Sequence, residues 1–243
     1  MEIFEFIECS NRTQSLPDLF NLLVAAADKE GFDQIAYGAL TYHEPLRMAG
    51  NAAPAVAMNF PEDWRDHYFE CKYQQIDPVV VLTPSIARPF LWSWLQRRPG
   101  LVRKQRLIFD EARAAGLKNG VSVPLHGPWG RVAVLSFASC EEDSEPEKKL
   151  GRLNALASQF HAAFTDLSQG ARSPDTPVKL SCREKDCLMW TAHGKSSWDI
   201  GMIMDISENT VNFHLKNAMK KLGTTSRTAA VVKSIRSNLI EIP

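Results

Sequence analysis

The chain has 243 residues, of which 44% are hydrophobic and 23% are charged, and its 28 basic side chains balance 28 acidic ones. These proportions are ordinary for a soluble globular protein with one large domain or two smaller ones. No segment approaches the roughly 18 consecutive apolar residues of a membrane span, and the N-terminus lacks the basic and apolar regions of a secretion signal. We therefore expect a cytoplasmic protein that has no membrane partner.

Hydrophobic periodicity predicts mixed structure in the first two thirds of the chain. Ser15 precedes Leu16 and Pro17 as a helix N-cap, and residues 126–130 hold the Gly and Pro of a hairpin turn. The predicted helices are 16–29, 61–73, 101–115 and 145–167, and the predicted strands are 34–42, 56–59, 121–125 and 131–138. This pattern predicts an α+β fold in which an antiparallel sheet lies between helices, an α/β/α sandwich.

The polar segment 168–177 contains one Gly and two Pro residues and separates two periodic regions. It is typical of a linker, so we predict domains at 1–167 and 178–243.

The second domain is predicted to be helical throughout. Ser181 and Glu184 have the spacing of a capping box, and Gly194 and Gly223 follow predicted helices as stop signals. We predict four helices at 181–193, 197–204, 207–222 and 226–239. The core expected to join them contains Trp190, Ile200, Ile203, Val211, Leu215, Met219 and Leu222.

The second and third of these helices are joined by a turn short enough for a helix-turn-helix. The third carries amide, hydroxyl and lysine side chains opposite its apolar face, and these could reach base edges and phosphates of DNA. Residues 178–243 contain ten basic and six acidic side chains, a net +4 that leaves −4 on the rest of the chain. This excess fits a polyanion partner, although a solvated polar face is the common alternative.

Catalytic and metal-binding patterns are missing from the sequence. The five cysteines form no CxxC pair and none lies at zinc-finger spacing from a histidine, so we expect neither disulfides nor a metal site. No GxSxG, HExxH or P-loop motif is present. An enzyme using His67 with the nearby Asp63 and Asp66 is the alternative, but such residues on one exposed helix are more often solvated. We expect no enzymatic activity and no cofactor.

The segment 180–239 strongly resembles the LuxR-type helix-turn-helix. The positions that match its pattern are Glu184, Leu188, Gly194, Ile200, Val211, His214 and Leu222. The resemblance implies that the helix at 207–222 lies in the major groove of double-stranded DNA and that positions such as Asn212 and Lys216 contact it. The predicted DNA-binding residues are Asn209, Thr210, Asn212, His214, Lys216 and Lys220.

The segments 59–68, 73–78, 89–92 and 115–124 resemble the autoinducer-binding domain of LuxR-type quorum-sensing regulators, in the layout of the LasR-like members. The resemblance implies a transcription factor that binds an N-acyl-homoserine lactone as its signal. It also implies a homodimer on near-palindromic promoter DNA and, by default, activation through RNA polymerase. A ligand-independent regulator, or a repressor that ligand releases from DNA, is the alternative.

The resemblance also implies roles for individual side chains, because a buried polar group of the ligand that lacks a partner costs ~1–3 kcal/mol. The Trp64 indole would donate to the ring carbonyl, and the Asp77 carboxylate would accept from the amide N–H. Ser136, with Tyr68 as a second candidate, would donate to the acyl carbonyl, and Trp92 would form an apolar wall.

One position departs from the family. Phe60 stands where a tyrosine is usual, and it has no hydroxyl for the acyl carbonyl. The acyl carbonyl then relies on Ser136, Tyr68 or a water, or the acyl group itself is unusual. The sequence leaves room for a short, branched or aryl acyl group instead of a long straight one. The alternative interpretation of Asp77 is a simple helix N-cap before Pro78.

Overall fold

The computed structural model describes residues 1–41, 55–127, 130–141, 145–170, 178–237 and 239–241. The chain divides into two compact units, Met1–Ala171 and Arg172–Pro243. Each unit is described separately. Within the described residues, no helix has both the length and the apolar character needed to cross a bilayer.

A five-stranded antiparallel sheet in the order β2-β1-β5-β4-β3 forms the middle of the N-terminal unit. Its strands are β1 (Gln34–Ala39), β2 (Ala55–Met58), β3 (Phe90–Leu91), β4 (Asn119–His126) and β5 (Val132–Ser139). The helices described in this unit are α1 (Ile3–Arg12), α2 (Leu16–Asp28), α3 (Glu62–Glu70), α4 (Pro78–Leu82), α5 (Trp92–Gln96), α6 (Arg103–Ala114) and α7 (Pro146–Gly170).

Helices cover both faces of this sheet. On one face α1, α2 and α7 bury a large core that includes Phe6, Leu23 and Phe160. On the other face α3 to α6 form two smaller cores, around Trp64 and around Leu95. Every residue of β5 is buried because side chains on both faces meet a helical layer. The predicted α+β sandwich with an antiparallel sheet is confirmed.

Several predicted boundaries differ from the structure. The helix predicted at 61–73 ends at Glu70, because Lys72 adopts a left-handed φ of 53° that an α-helix cannot continue through. The strand predicted at 34–42 ends at Ala39. Residue 42 and the turn residues 128–129 lie outside the described residues.

The predicted linker begins too early. Helix α7 continues through Gly170, so residues 168–170 are helical. The remaining linker residues, 171–177, lie outside the described residues.

The C-terminal unit contains the helices α8 (Cys182–Ala192), α9 (Ser197–Met204), α10 (Glu208–Leu222) and α11 (Arg227–Arg236). A serine caps each N-terminus, its hydroxyl accepting the backbone N–H three residues ahead. Helix α11 ends at Arg236, three residues before its predicted end at residue 239.

The core of the C-terminal unit includes Leu188, Ile200, Val211 and Leu215, all at most 1% exposed. The prediction of Ile203 as a core residue is wrong, since its side chain is 46% exposed. Helix α9 is only eight residues long, and its inward stripe is already occupied by residues such as Ile200.

The turn between α9 and α10 depends on two backbone features. Asp205 adopts a left-handed φ of 55°, which ends α9 and reverses the chain. A Cβ added at Gly201 would lie 2.7 Å from the carbonyl oxygen of Ile206, so only glycine permits this close packing.

Candidate functional site

A cavity of about 110 Å³ lies between the sheet and helices α3 to α6 of the N-terminal unit. Its walls are mainly apolar, with side chains such as Leu40, Met58, Val79 and Ile108. All six side chains predicted to bind ligand line this one cavity. They are Phe60, Trp64, Tyr68, Asp77, Trp92 and Ser136.

Asp77 is the buried carboxylate of this cavity. Its Oδ1 accepts the backbone N–H of Val79 at 2.8 Å, and its Oδ2 accepts the Tyr68 hydroxyl at 2.8 Å. Burial raises its pKa to about 6, although the hydrogen bonds from Tyr68 and Val79 act in the opposite direction. The N-cap interpretation of Asp77 is confirmed, and the residue also lines the cavity. Its role toward a ligand stays a prediction.

The Tyr68 hydroxyl is directed to Asp77 and not to the rest of the cavity. Burial and the neighbouring carboxylate raise the pKa of Tyr68 far above its usual value, so its proton remains in place. This geometry favours Tyr68 as the group that orients Asp77. A second role as donor to an acyl carbonyl would require this hydrogen bond to break.

A chain of hydrogen bonds ends at Ser136. The Trp92 Nε1–H donates to Ser122 Oγ at 2.9 Å, and Ser122 Oγ lies 2.8 Å from Ser136 Oγ. Because an indole can only donate a hydrogen bond, Ser122 accepts from Trp92 and can donate its own hydroxyl hydrogen to Ser136 Oγ. The Ser136 hydroxyl can then donate its hydrogen bond to a group inside the cavity.

Gly120 makes room for the Trp92 indole. A Cβ at this position would lie 2.2–2.4 Å from three atoms of the ring, so a larger residue cannot be accommodated without moving it. Sequence reasoning missed both Gly120 and Ser122. They alternate with Val121 in one short segment of β4, and that alternation was the available signal.

Two further residues with side-chain N–H donors, Trp64 and Arg65, line the cavity. Trp64 is buried, and no acceptor for its indole N–H lies in the part of the chain that the structure describes. Arg65 also lines the cavity, and its buried Nε has no partner among the described residues. Arg65 was not predicted, although it adjoins Trp64 in the sequence.

The exposed stripe of α10 is the candidate DNA-binding surface of the C-terminal unit. It comprises the exposed side chains of Asn209, Phe213, Lys216 and Lys220. Phe213, which is 60% exposed, was missed as part of this surface. His214 is half-buried, and Thr210 is hydrogen-bonded to the capping Ser207 at 2.8 Å.

Asn212 lies beside this stripe and is half-buried. Its Oδ1 accepts from Ser197 Oγ at 2.8 Å and from Arg227 Nη2 at 2.5 Å. Sequence reasoning did not find these two partners, because they belong to other helices.

Lys221, which follows Lys220 in α10, forms an ion pair within the C-terminal unit. Its Nζ donates to the carboxylate of Glu184 at 2.7 Å. Burial alone would raise the pKa of Glu184, but hydrogen bonds from Lys221 and from the Ser181 backbone outweigh it and hold that pKa below its usual value.

The described residues contain no group of three or more His, Cys, Asp or Glu side chains able to hold a metal ion.

Comparisons with known proteins match both parts of the chain. Residues 15–164 match the autoinducer binding domain, and residues 178–234 match the luxR family of bacterial regulatory proteins. The protein y4qH of Sinorhizobium fredii is 39% identical over 243 residues, covering 100% of this chain and 74% of its own. The transcriptional activator VanR of Vibrio anguillarum is 31% identical over 241 residues, covering 98% of both chains.

Solved structures show the same architecture. Escherichia coli SdiA superposes with a TM-score of 0.66 at 25% identity, covering 98% of this chain and 99% of its own. Fold and sites together define a transcription regulator that joins an autoinducer-binding domain to a DNA-binding helix-turn-helix. The chain belongs to the LuxR family of bacterial regulators.

Proposed function

We propose that the N-terminal domain, residues 1–167, binds an N-acyl-homoserine lactone as the signal of a quorum-sensing system. One observation carries this proposal. Six residues chosen from the sequence line a single apolar cavity, and a carboxylate and a serine hydroxyl are among them. A lactone with one amide and two carbonyls requires such a small number of fixed polar partners within apolar walls.

The polar groups can be assigned one by one. Asp77 accepts the ligand amide N–H through a lone pair that Tyr68 and Val79 leave open. The Trp64 indole N–H, for which the described residues offer no acceptor, donates to the ring carbonyl. Ser136 donates to the acyl carbonyl, because its own oxygen accepts from Ser122. The Ser136 hydroxyl thus supplies the hydrogen bond that Phe60, which lacks a hydroxyl, does not provide.

The cavity size favours a compact acyl group. At about 110 Å³ it is smaller than the roughly 150 Å³ apolar cavity that holds benzene, so any lactone has to widen it. The widening grows with the length of the acyl chain. We therefore favour a short, branched or aryl group.

Ligand binding would stabilise the fold of the sensor domain. At a hundredfold excess over the dissociation constant, a ligand adds ~2.7 kcal/mol to the free energy of unfolding. We propose that the stabilised domain dimerises in the cytoplasm and that the linker brings two helix-turn-helix domains together. The homodimer would then bind a near-palindromic promoter, with half-sites about one helical turn apart, and activate RNA polymerase.

Thermal unfolding with a panel of lactones tests the ligand class. We expect one compact acyl-homoserine lactone to raise the unfolding temperature, and the corresponding free fatty acid to leave it unchanged. SdiA has been solved in complex with octanoyl-rac-glycerol, so this acylglycerol belongs in the panel. Stabilisation by the acylglycerol and by no lactone would contradict the proposed head group.

Salt dependence tests the DNA-binding surface. Replacing Lys216 and Lys220 by Ala should weaken binding and reduce the slope of log K against log salt by about 1 per lost phosphate contact. Lys185→Ala/Lys233→Ala removes the same charge from exposed positions outside α10 and is the matched control. Equal slopes for the two double variants would show that α10 does not face the phosphates.

Light scattering and DNA binding test the assembly. The ligand-loaded protein should have twice the 27.2 kDa mass of the chain. A dimeric ligand-free protein that binds its site at full affinity would favour a regulator that ligand does not activate, or a repressor that ligand releases.

A further inference from the structure

Asn212, in the second turn of α10, connects this helix to the starts of α9 and α11. It lies in α10, its partner Ser197 is the first residue of α9, and its partner Arg227 is the first residue of α11. Both partners bind the same atom, Oδ1 of Asn212, at 2.8 Å and 2.5 Å. The amide group is therefore held from one side by two neighbouring helices.

The chemistry of Arg227 determines which end of the amide faces inward. A guanidinium group carries five N–H donors and no acceptor. Only the carbonyl oxygen of Asn212 can face it, since the amide nitrogen would bring two donors together. A carbonyl oxygen has two lone pairs, and Ser197 and Arg227 occupy both. The Nδ2 amide, with two N–H donors, is left on the outer side.

We propose that Asn212 reads its base pair as a hydrogen-bond donor only, and that Ser197 and Arg227 are positioning residues that impose this polarity. The inference rests on the proposed function, in which α10 lies in the major groove. It assigns a specificity role to two residues outside the recognition helix.

The polarity determines which bases fit. Asparagine recognises adenine by donating to N7 while its carbonyl accepts from the N6 amino group. Because Ser197 and Arg227 occupy the Asn212 carbonyl, the hydrogen bond from the adenine N6 amino group to that carbonyl cannot form. The N6 amino group then faces the Nδ2 amide, which is also a donor. Guanine offers the acceptors N7 and O6, and thymine offers O4, whereas cytosine presents its N4 amino group. Asn212 should therefore select guanine or thymine over adenine and cytosine.

Selection from random-sequence duplex DNA by the full chain, loaded with the lactone that stabilises it, tests this polarity. The wild type should prefer guanine or thymine at one position of each half-site, and Asn212→Ala should relax the preference at that position alone. Replacing guanine there with 7-deazaguanine should weaken binding of the wild type but not of Asn212→Ala.

The decisive variant is Ser197→Ala/Arg227→Met, which releases the Asn212 carbonyl. We expect the preference at the same position to move toward adenine by about fivefold or more, the lower end of a bidentate base contact. Arg236→Met removes an equal charge from an exposed site at the other end of α11 and should leave base preference unchanged. Arg227→Met alone, which keeps the buried Ser197, serves if the double variant fails to fold.

The outcomes separate the two proposals. A wild-type preference for adenine at the Asn212-dependent position would overturn the donor-only polarity while leaving DNA binding by α10 intact. An unchanged base preference in Ser197→Ala/Arg227→Met would also overturn the donor-only polarity and leave DNA binding by α10 intact. If Asn212→Ala alters no position, Asn212 reads no base and the inference is wrong. A wild type that selects no DNA at all would refute the proposed function itself.

Discussion

Replacing Asp77 by Asn should stabilise the ligand-free protein while it weakens ligand binding. The Asp77 carboxylate is only 8% exposed, and its pKa is raised from 3.8 to about 6 by burial. A raised pKa means that the folded state holds its proton more tightly than the unfolded state does. The stability from this group is present below pH 4 and is lost as the pH rises through 6.

The magnitude follows from the size of the shift. About two pKa units, at ~1.4 kcal/mol for each, amount to ~3 kcal/mol lost by pH 7.5 and about half of that by pH 5. Asparagine carries no charge and can keep both hydrogen bonds, since one end of the amide accepts from Val79 and the other donates to the Tyr68 oxygen. It is also a good N-cap. Asp77→Asn should therefore keep the stability that the wild type loses when the buried Asp77 carboxyl ionises.

Urea unfolding of the ligand-free proteins, followed by tryptophan fluorescence, measures the difference. The free energy of unfolding of Asp77→Asn should exceed that of the wild type by ~3 kcal/mol at pH 7.5 and by about half of that at pH 5. The C-terminal unit is common to both proteins and cancels in the comparison. Asp66→Asn, at an exposed position of α3, should change stability by no more than ~0.5 kcal/mol at either pH. A variant that is less stable than the wild type at pH 7.5, or a difference independent of pH, would refute this account of Asp77.

Two further variants test individual contacts. Gly120→Ala should force the Trp92 indole to move and reduce the free energy of unfolding by about 1–3 kcal/mol. It should also abolish stabilisation by the lactone in a thermal shift assay. An unaffected lactone response would show that the indole position is unimportant. Lys221→Met should leave the buried Glu184 carboxylate without its cation and lower stability at pH 7 by about 1–3 kcal/mol, in contrast to Lys220→Met at an exposed site. Because the pKa of Glu184 is lowered, this loss should shrink as the pH falls through its folded value, and a loss that stays constant down to pH 3 would contradict the ion pair.

The elements that sequence analysis predicted well are those with local chemical signals. Ser15 and Ser181 each cap the helix that was predicted from them, because capping involves only the next three residues. Helix α1 was missed although Ile3, Phe6 and Ile7 have the spacing of one helical face. Ile203 has the spacing of a core residue, but whether a short helix buries one stripe or two depends on its neighbours.

The residues that line the cavity were predictable, but the hydrogen bonds among them were not. The family resemblance identified six lining residues from segments far apart in the chain. The pairing of Ser122 with Ser136 depends on the register between β4 and β5, which no local pattern determines. The use of Tyr68 to orient Asp77 likewise follows from where α3 lies relative to the cap of α4.

Mass spectrometry of the small molecules that co-purify with the protein tests the central claim most directly. Cells that express the full chain would be supplied with acyl-homoserine lactones of straight, branched and aryl type. The wild type should retain one compact lactone at about one equivalent per chain, and Trp64→Phe/Asp77→Asn should lose it while remaining folded. A soluble wild type that retains no lactone, or a double variant that retains the same amount, would contradict the account.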